Sequence, residues 1–363
     1  MPSTDSVSHQ DLVVCTCGQQ EYTARDVIDA AIFRGEFEDK WQKFLRHVAA
    51  EERADELELE LDESAISAAA EEFRYQHDLI TAEETESWLA NRSLTLDDFS
   101  DYFARQYCAS AVTDSFCPQE VGYNSADPEL RESFVAELIL SGELEEMTSK
   151  LVWRLAARCA GTEMTPDVVA AEERSFFERN SLTRGQLGKW LEKLGRDEKW
   201  FTEMVVLEAT YRRCCQTLLL PQARQRELAM LRMTLTRLET EVIELESRDA
   251  AQEALFCVRE DGMSMEEVAA EGRYPYRRID FVLEDIAIEA QQRFLSVSEG
   301  DLLGPVARAE GFELCRIISK IEPQADDPTV KSRIDRRLLD RHFAELASRY
   351  VEQRLGGVSS SAG

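Results

Sequence analysis

A short segment that occurs twice decides the organisation of this chain. Its first copy is Phe33-Arg34-Gly35-Glu36-Phe37-Glu38, and its second copy is Leu140-Ser141-Gly142-Glu143-Leu144-Glu145. The two glycines are 107 residues apart (142 − 35), and the same offset relates Ala49-Ala50 to Ala156-Ala157. Because self-similarity at a fixed spacing is typical of repeated structural units, the sequence predicts an internal duplication.

The similarity continues downstream of these segments with small changes of offset. Ala69-Ala70-Glu71-Glu72 reappears as Ala170-Ala171-Glu172-Glu173, at an offset of 101 residues. Two Trp-Leu pairs follow, each with a phenylalanine eleven residues after the tryptophan: Trp88-Leu89 with Phe99, and Trp190-Leu191 with Phe201. Changes in loop length produce such drift. The alternative is chance similarity between two Glu/Ala-rich helical runs, and the matched spacing favours duplication over it.

Both copies are predicted to be helical. Apolar residues recur at helical spacing in the first copy (Phe37, Trp41, Phe44, Leu45, Val48) and in the second (Leu144, Leu151, Leu155, Ala156). Asp62 and the pair Thr165-Pro166 are predicted to begin later helices. Thr81 and Thr95 each begin a capping-box pattern, before Trp88 and Phe99 respectively.

The chain after the second copy changes character. A charged helix is expected from Gln222 to about Arg237, followed by strands at 240–246 and 311–318, helices at 247–258 and 264–270, and an amphipathic helix carrying Leu338, Leu339, Phe343, Leu346 and Tyr350. The predicted fold class is mainly α with a small α+β C-terminal domain. The predicted domains are a helical module with an N-terminal strand at 1–116, a second helical module at 117–231 that opens with a connector at 117–128, the α+β domain at 232–323, a C-terminal helix at 324–355 and a disordered tail at 356–363.

Composition and charge restrict the class of protein. The chain has 363 residues, with 42 Lys+Arg against 71 Asp+Glu and a net charge of −29. This acidity argues against nucleic acid or an anionic membrane as the main partner, since both would be repelled. The 44% hydrophobic content is sufficient for a substantial core.

We expect a reduced, cytoplasmic protein. The first residues lack the basic start and apolar run of a secretory signal, and no apolar stretch is long enough to span a membrane. The nine cysteines show no disulfide-framework spacing. Cys15-Thr16-Cys17 lacks a second pair with zinc-ligand spacing, and we interpret it as two small side chains on the first strand. Cys214-Cys215 is interpreted as a buried helical pair rather than a redox site.

No catalytic or nucleotide-binding motif is present. The sequence has no phosphate-binding P-loop, no nucleophile elbow and no His-Glu-x-x-His zinc motif. With four histidines in the chain, a mechanism that pairs histidine with serine or cysteine is poorly supported. We therefore expect neither a metal nor a cofactor.

The N-terminal half resembles a known family. Residues 13–27, Val13-Val14-Cys15-Thr16-Cys17-Gly18-Gln19-Gln20-Glu21-Tyr22-Thr23-Ala24-Arg25-Asp26-Val27, look like the opening strand, turn and first helix of SurA-like peptidyl-prolyl isomerase chaperones. The helical segment at 72–99 is similar to the chaperone module of that family. The resemblance implies two SurA-like helical modules in one chain.

The C-terminal region resembles a parvulin domain, the isomerase domain of this family. Residues 253–255 and 265–269 resemble its helix pair, and Gly300-Asp301-Leu302-Leu303-Gly304-Pro305-Val306 with Gly311-Phe312 resembles its closing segment. An active parvulin carries one histidine at the start of its first strand and another in its last strand. Glu241 and Glu313 fall at those positions here, and residues 232–323 contain no histidine. The resemblance therefore implies a degenerate parvulin domain, which we expect to lack isomerase activity.

The sequence thus predicts a polypeptide-binding, chaperone-like protein with an inactive isomerase-like domain. Its client would be an unfolded or precursor polypeptide, such as a modified precursor peptide or one enzyme being matured, and an accessory partner protein is possible. The candidate peptide-binding residues are Trp88, Trp190, Met265, Phe281 and Phe312. Three alternatives stay open: an active isomerase that uses Cys257, Cys315 or acidic residues, a helical adaptor that docks to a folded partner, and a metal-dependent enzyme.

Overall fold

A computed structural model describes residues 8–112, 127–161, 164–308 and 310–355. The predicted tail at 356–363 and nearly all of the predicted connector at 117–128 lie outside the described residues. The chain forms two compact units: Met1–Cys215 with His342–Gly363, and Gln216–Arg341. The described part is mainly α, with two small antiparallel sheets, as the sequence predicts.

The first unit consists of helices and a three-stranded sheet. Its elements are β1 (Val13–Cys17), β2 (Gln20–Thr23), α1 (Ala24–Arg34), α2 (Glu38–Glu56), α3 (Glu63–Gln76), α4 (Ala82–Ala90), α5 (Leu96–Ala111), α6 (Pro128–Leu140), α7 (Glu143–Cys159), α8 (Pro166–Arg179), α9 (Leu187–Leu194) and α10 (Glu198–Leu218). The last strand, β7 (Val351–Gln353), pairs with β1, so the sheet order is β2-β1-β7. The sequence predicts one strand and a turn here, whereas the structure has a hairpin joined by the C-terminal strand.

The two predicted copies have the same helix order. Helices α1 to α5 correspond to α6 to α10, and a glycine with positive φ separates the first two helices of each set (Gly35, φ 74°; Gly142, φ 75°). The buried aromatic groups also correspond. Phe73 lies 5.4 Å from Trp88 and 5.5 Å from Phe99 between ring centroids, and Phe176 lies 5.2 Å from Trp190 and 5.0 Å from Phe201.

The first helices of the two sets are exchanged. Helix α1 packs on α7 and α8 of the second set, while α6 packs on α2 and α5 of the first set as well as on α7, the helix that follows it. Phe33 of α1 stacks on Phe176 of α8 at 4.6 Å, and Phe134 of α6 contacts Trp41 of α2 at 5.0 Å. Each helical module therefore completes its core with a helix from the other half of the sequence.

Buried ion pairs follow the same crossing. Arg105 of α5 donates to Glu137 of α6 at 3.0 Å, and both side chains are more than nine-tenths buried. In the other module, Glu208 of α10 accepts from Arg154 of α7 and lies 3.8 Å from the guanidinium of Arg34 on α1. A buried charge without a partner is costly. These ion pairs therefore favour the observed packing of α1 and α6 over a packing that would leave the same charges buried and unpaired.

Capping residues define where the helices begin. The predicted capping boxes at Thr81 and Thr95 are confirmed, since each hydroxyl accepts from the backbone N–H of the third helical residue, whose carboxylate in turn accepts from the threonine backbone N–H. Asp62 caps α3 through its carboxylate, and Thr165 precedes Pro166 at the start of α8. These contacts satisfy N–H groups that the first turn of a helix leaves without a partner.

The second unit contains the four-stranded sheet. Its elements are α11 (Pro221–Leu231), β3 (Arg237–Leu245), α12 (Arg248–Arg259), α13 (Met265–Gly272), β4 (Tyr276–Val282), α14 (Ile288–Ser296), β5 (Leu302–Ala307), β6 (Phe312–Ile321) and the first part of α15 (Pro328–Tyr350). The strand order is β4-β3-β6-β5, antiparallel throughout. The predicted helix to Arg237 ends earlier, at Leu231, because Arg237 already pairs with Val282 and Ile321 in the sheet.

Candidate peptide-binding site

A cavity of about 310 Å³ lies in the first unit, where the two exchanged helices meet. Four helices supply its walls: α1, α2, α6 and α9. Its apolar lining consists of Ile28, Ile32, Phe37, Trp41, Phe134, Val135, Trp190 and Leu194. Both halves of the duplicated sequence therefore contribute to one apolar site.

The turn between α1 and α2 brings two of these walls together. Gly35 adopts the left-handed conformation, and its N–H donates to the carbonyls of Ala31 and Ile32. A Cβ at this position would meet no neighbouring atom, so the need for glycine comes from the backbone conformation alone. The sharp turn places Ile32 and Phe37 on the same cavity although they belong to different helices.

Aromatic contacts fix the shape of the cavity. The ring of Trp41 stacks on Phe37 at 5.8 Å and meets Phe134 edge-on at 5.0 Å. Trp190 packs at 5.2 Å from Phe176 and 6.3 Å from Trp200. Rings held in this way retain their positions without a ligand, which lowers the entropy cost of binding an apolar group.

Charged groups surround the apolar lining. Asp29 is buried, and its carboxylate accepts from Arg196 at 2.6 Å and lies 3.8 Å from Arg25. Burial raises the pKa of the Asp29 carboxyl above its ordinary value, against the opposing effect of Arg196. Lys193 is exposed at the cavity edge, as Glu38 is on α2. The site thus has an apolar interior and a mixed, partly basic rim.

The two predicted tryptophans have different environments. Trp190 lines the cavity and is half-buried. Trp88 lies in the other module, where its ring contacts Phe73 and His77 and the Arg92 guanidinium lies over it at 3.9 Å. Trp88 therefore belongs to a packed aromatic group and does not line this cavity.

The remaining candidates lie in the second unit, on two faces of its sheet. Phe281 is opposite Leu238 and packs with Phe294 on one face. Phe312 is opposite Leu245 and packs on the other face, whose core includes the completely buried Met265. The sheet therefore separates Phe281 from the other two, and Met265 has no exposed surface in this structure.

The strand register places the two glutamates apart from each other. Glu241 is opposite Arg316, while Glu313 is opposite Glu244, three residues further along β3. Because side chains alternate between the two faces of a strand, Glu241 and Glu313 point to opposite faces and form no pair. Glu241 instead accepts from Tyr276 at 2.8 Å, and Glu313 accepts from Arg308.

The polar pair that does meet across β3 and β6 consists of Thr240 and Cys315. Their side chains share the face of Phe281, and the Thr240 hydroxyl donates to the Ile279 carbonyl at 3.2 Å and is hydrogen-bonded to the Cys315 thiol. Cys315 is 2% exposed, and burial raises its pKa to about 12. A buried, protonated thiol is a weak nucleophile.

Sequence reasoning missed most of the cavity lining. The sequence indicates Phe37 and Trp41 as one apolar stripe and Gly35 and Gly142 as matched positions, but no pattern in it indicates that α1 and α6 pack on the other half of the chain.

The described residues hold no cluster of His, Cys, Asp or Glu side chains suited to a metal ion. No helix in the described part of the chain is long and apolar enough to cross a membrane.

No family model matches this sequence, and no curated protein is similar to it. Solved structures with similarity include the peptidylprolyl isomerase PrsA of Bacillus cereus (11% identity, 60% of this chain and 85% of that chain, TM-score 0.36). PrsA of Bacillus anthracis matches at 14% identity (56% and 94% of the two chains, TM-score 0.29). A SurA-like chaperone of Campylobacter jejuni matches at 8% (59% and 86%, TM-score 0.19). The chain is thus similar, at low identity and low TM-score, to structures of PrsA and SurA-like foldases.

Proposed function

We propose that this protein is a polypeptide-binding, chaperone-like protein that holds an apolar segment of an unfolded client. The observation that carries the proposal is the cavity between α1, α2, α6 and α9, with its lining of eight apolar side chains. Ligand pockets in proteins have volumes of about 300–1,000 Å³. At about 310 Å³, this one accommodates one or two bulky side chains. That capacity suits an extended peptide and not a folded domain.

Charge at the rim supports binding of a polar backbone beside the buried side chain. Arg25, Arg131 and Lys193 line the cavity together with Asp29 and Glu38. Groups of both signs at a rim can orient the amide groups and termini of a peptide, while the apolar interior supplies most of the affinity. We therefore propose Trp190 and its apolar neighbours as peptide-contacting residues.

We further propose that residues 232–323 are a degenerate parvulin-like domain without isomerase activity. A twisted, partly desolvated amide must be stabilised for catalysis, against a barrier of about 18–20 kcal/mol. Where the resemblance implies histidines, the chain has Glu241 and Glu313, which lie on opposite faces of the sheet, and Cys315 is buried on the face of Thr240. Cys257 packs on the opposite face of the sheet, which also disfavours a catalytic pair of cysteines.

The client and its location are part of the same proposal. The client would be an unfolded or precursor polypeptide, with one dedicated precursor peptide or enzyme as the favoured case, and an accessory protein could deliver it. We propose the cytoplasm as the location, because the cysteines of the described residues are free thiols.

The test measures peptide binding and prolyl isomerisation on one preparation. Binding of the full chain to a library of unfolded and proline-containing peptides is followed by tryptophan fluorescence, since Trp41 and Trp190 line the cavity. We expect binding of apolar peptides without isomerase turnover. Ile28→Glu, which places a carboxylate in the apolar lining, should weaken binding at least tenfold, because an unpaired charge is costly in such surroundings.

Two further variants make the result specific. Met230→Glu changes an exposed methionine of α11 that does not line the cavity, and it should bind as the unchanged chain does. Lys193→Glu changes only an exposed rim charge, so an altered affinity cannot be attributed to misfolding. Equal binding by all variants would refute the cavity as the site. Stable capture of one folded protein without peptide binding would support the adaptor alternative, and turnover would support the isomerase.

A further inference from the structure

We propose that Cys17 and Cys159 form a disulfide bond under oxidising conditions, which makes this pair a site of reversible oxidative modification. Their sulfur atoms lie 3.1 Å apart although 142 residues separate them in sequence. The S–S distance in a disulfide is about 2.05 Å, so closure requires the sulfurs to move together by about 1 Å. Neither thiol takes part in the cavity described above.

The backbone around the two thiols is held independently of their contact. Cys17 ends β1, the central strand of the first sheet, where it is paired with Gln20 of β2 and Val351 of β7. Cys159 is the last residue of α7, which packs against β1. Arg158, the preceding residue, donates to the hydroxyl of Tyr22 on β2 at 2.8 Å. The strand and the helix that carry the two thiols are therefore held in place by contacts other than the one between the sulfurs.

The exposures of the two sulfurs suggest the order of reaction. Cys159 is exposed and Cys17 is buried, so Cys159 meets an oxidant first. The oxidant we name is a small-molecule disulfide such as oxidised glutathione. The Cys159 thiolate attacks one of its sulfurs and expels one glutathione thiolate, and Cys17 then attacks the Cys159 sulfur and expels the second. Two protein thiols are oxidised and one glutathione disulfide is reduced to two thiols.

The electrostatic surroundings of Cys17 act in both directions. Burial raises its pKa to about 11, while the adjacent Arg158 guanidinium favours the thiolate. We therefore expect the second, resolving step to be slower than attack by the exposed Cys159. Cys15, which points to the same face of β1 two residues earlier, is completely buried and has a pKa raised to about 12 by burial. It is thus a poorer partner for a reaction that starts at the surface.

The bond would fasten the central strand of the sheet to α7. Because β7 is the C-terminal strand and pairs with β1, the same bond would restrain both ends of the first unit. A reducing glutathione pool would keep the pair as two thiols, and oxidising surroundings would convert the two thiols to the disulfide bond.

The experiment exposes the reduced full chain to glutathione buffers with a rising oxidised fraction. Remaining thiols are blocked with N-ethylmaleimide and the protein is analysed by intact mass and peptide mapping. We expect two fewer alkylated cysteines, a linked peptide containing Cys17 and Cys159, and a higher melting temperature. Cys159→Ser should abolish the linked peptide and the stabilisation, and Cys257→Ser, a half-buried cysteine of the second unit, should retain both.

Three results would overturn the proposal. The first is a stable glutathione adduct on Cys159 with Cys17 still free for alkylation. The second is a link from Cys159 to any other cysteine, Cys15 included. The third is an unchanged number of alkylated cysteines at every buffer composition. Because Cys159 is exposed and serine keeps a hydrogen-bonding group beside Cys17, the variant tests the bond and not the fold.

Discussion

At the residue scale, His9 and Asp98 form an ion pair that ties the N-terminal segment to α5. The His9 Nε2 lies 3.4 Å from the Asp98 carboxylate. The hydrogen bond that His9 donates to the Asp98 carboxylate raises the pKa of His9 above its ordinary value. Burial alone would raise the pKa of Asp98, but hydrogen bonds from His9 and Thr95 outweigh it and lower the pKa to about 2. Both shifts favour the charged forms, so folding stabilises the charged pair.

This pair predicts a pH dependence of stability. A histidine whose pKa is raised by folding stabilises the folded state below its unfolded pKa of about 6.5, and this contribution is lost as the pH rises through the folded value. The melting temperature of His9→Asn should therefore fall below that of the unchanged chain most at pH 6 and least at pH 8.5. Thermal unfolding across this range measures the difference.

His77 provides a control of opposite sign. Burial, together with the nearby Arg92, lowers its pKa, so its contribution is lost as the pH falls. In His77→Asn, the decline of stability between pH 6 and 8.5 should become steeper, because the opposing contribution is removed. A difference between His9→Asn and the unchanged chain that does not vary with pH would contradict the assignment.

At the scale of elements, the packing of α1 and α6 predicts that two buried phenylalanines, one on each helix, stabilise different modules. Phe33 and Phe134 are both almost completely buried. Phe33→Leu and Phe134→Leu should each lower the free energy of unfolding by about 1–2 kcal/mol, since each leaves a small void. Hydrogen exchange should accelerate in α8 and α10 for Phe33→Leu, and in α2 for Phe134→Leu.

The pair of variants serves as its own control. Each makes the same chemical change in one of the two modules, so a general loss of stability would accelerate exchange equally in both. Acceleration confined to α2 in Phe33→Leu would place α1 in the first module and contradict the exchanged packing.

At the scale of the whole molecule, the net charge of −29 predicts which clients bind most readily. A lysine-rich peptide should bind more tightly than a glutamate-rich peptide of equal apolar content at 20 mM salt. The difference should shrink at 0.5 M salt, because the Debye length falls from about 10 Å at 0.1 M to about 3 Å at 1 M. Titration of both peptides at the two salt concentrations measures this effect.

The charges at the rim of the cavity could produce the opposite preference, for the glutamate-rich peptide. Arg25, Arg131 and Lys193 give it a local basic character within an acidic molecule. A preference for the glutamate-rich peptide would show that these nearby groups outweigh the charge of the whole chain. A Lys193→Glu variant should then lose that preference, whereas it has little effect if the whole-molecule charge dominates.

Much of the local structure could be predicted from the sequence. The capping boxes at Thr81 and Thr95 and the strand near Thr240 depend on neighbours within a few residues. Such signals are complete in the sequence because hydrogen bonds at a helix start and the alternation of a strand are local. The end of the helix before β3 was misplaced because pairing of Arg237 with Val282 and Ile321 is a tertiary contact.

The candidate site was predicted only in part, with Trp190 as the one proposed residue that lines the cavity. Phe281 and Phe312 looked equivalent in sequence, but the register of β3 with its neighbours places them on opposite faces. A shift of one residue reverses the face of every side chain, so the faces of Phe281 and Phe312 are known only once each strand has met its partner.

The sequence by itself therefore determined the mainly helical class, the helix starts at Thr81 and Thr95, and the absence of histidine from 232–323. Only the tertiary structure decided that α1 and α6 exchange partners, that the cavity lies between them, and that Cys17 meets Cys159. The physical reason is that burial of apolar surface is non-directional. An apolar stripe on a helix must therefore be buried, but its sequence does not determine which other element buries it. The choice among partners comes from shape, buried ion pairs and strand register, and these exist only once distant segments have met.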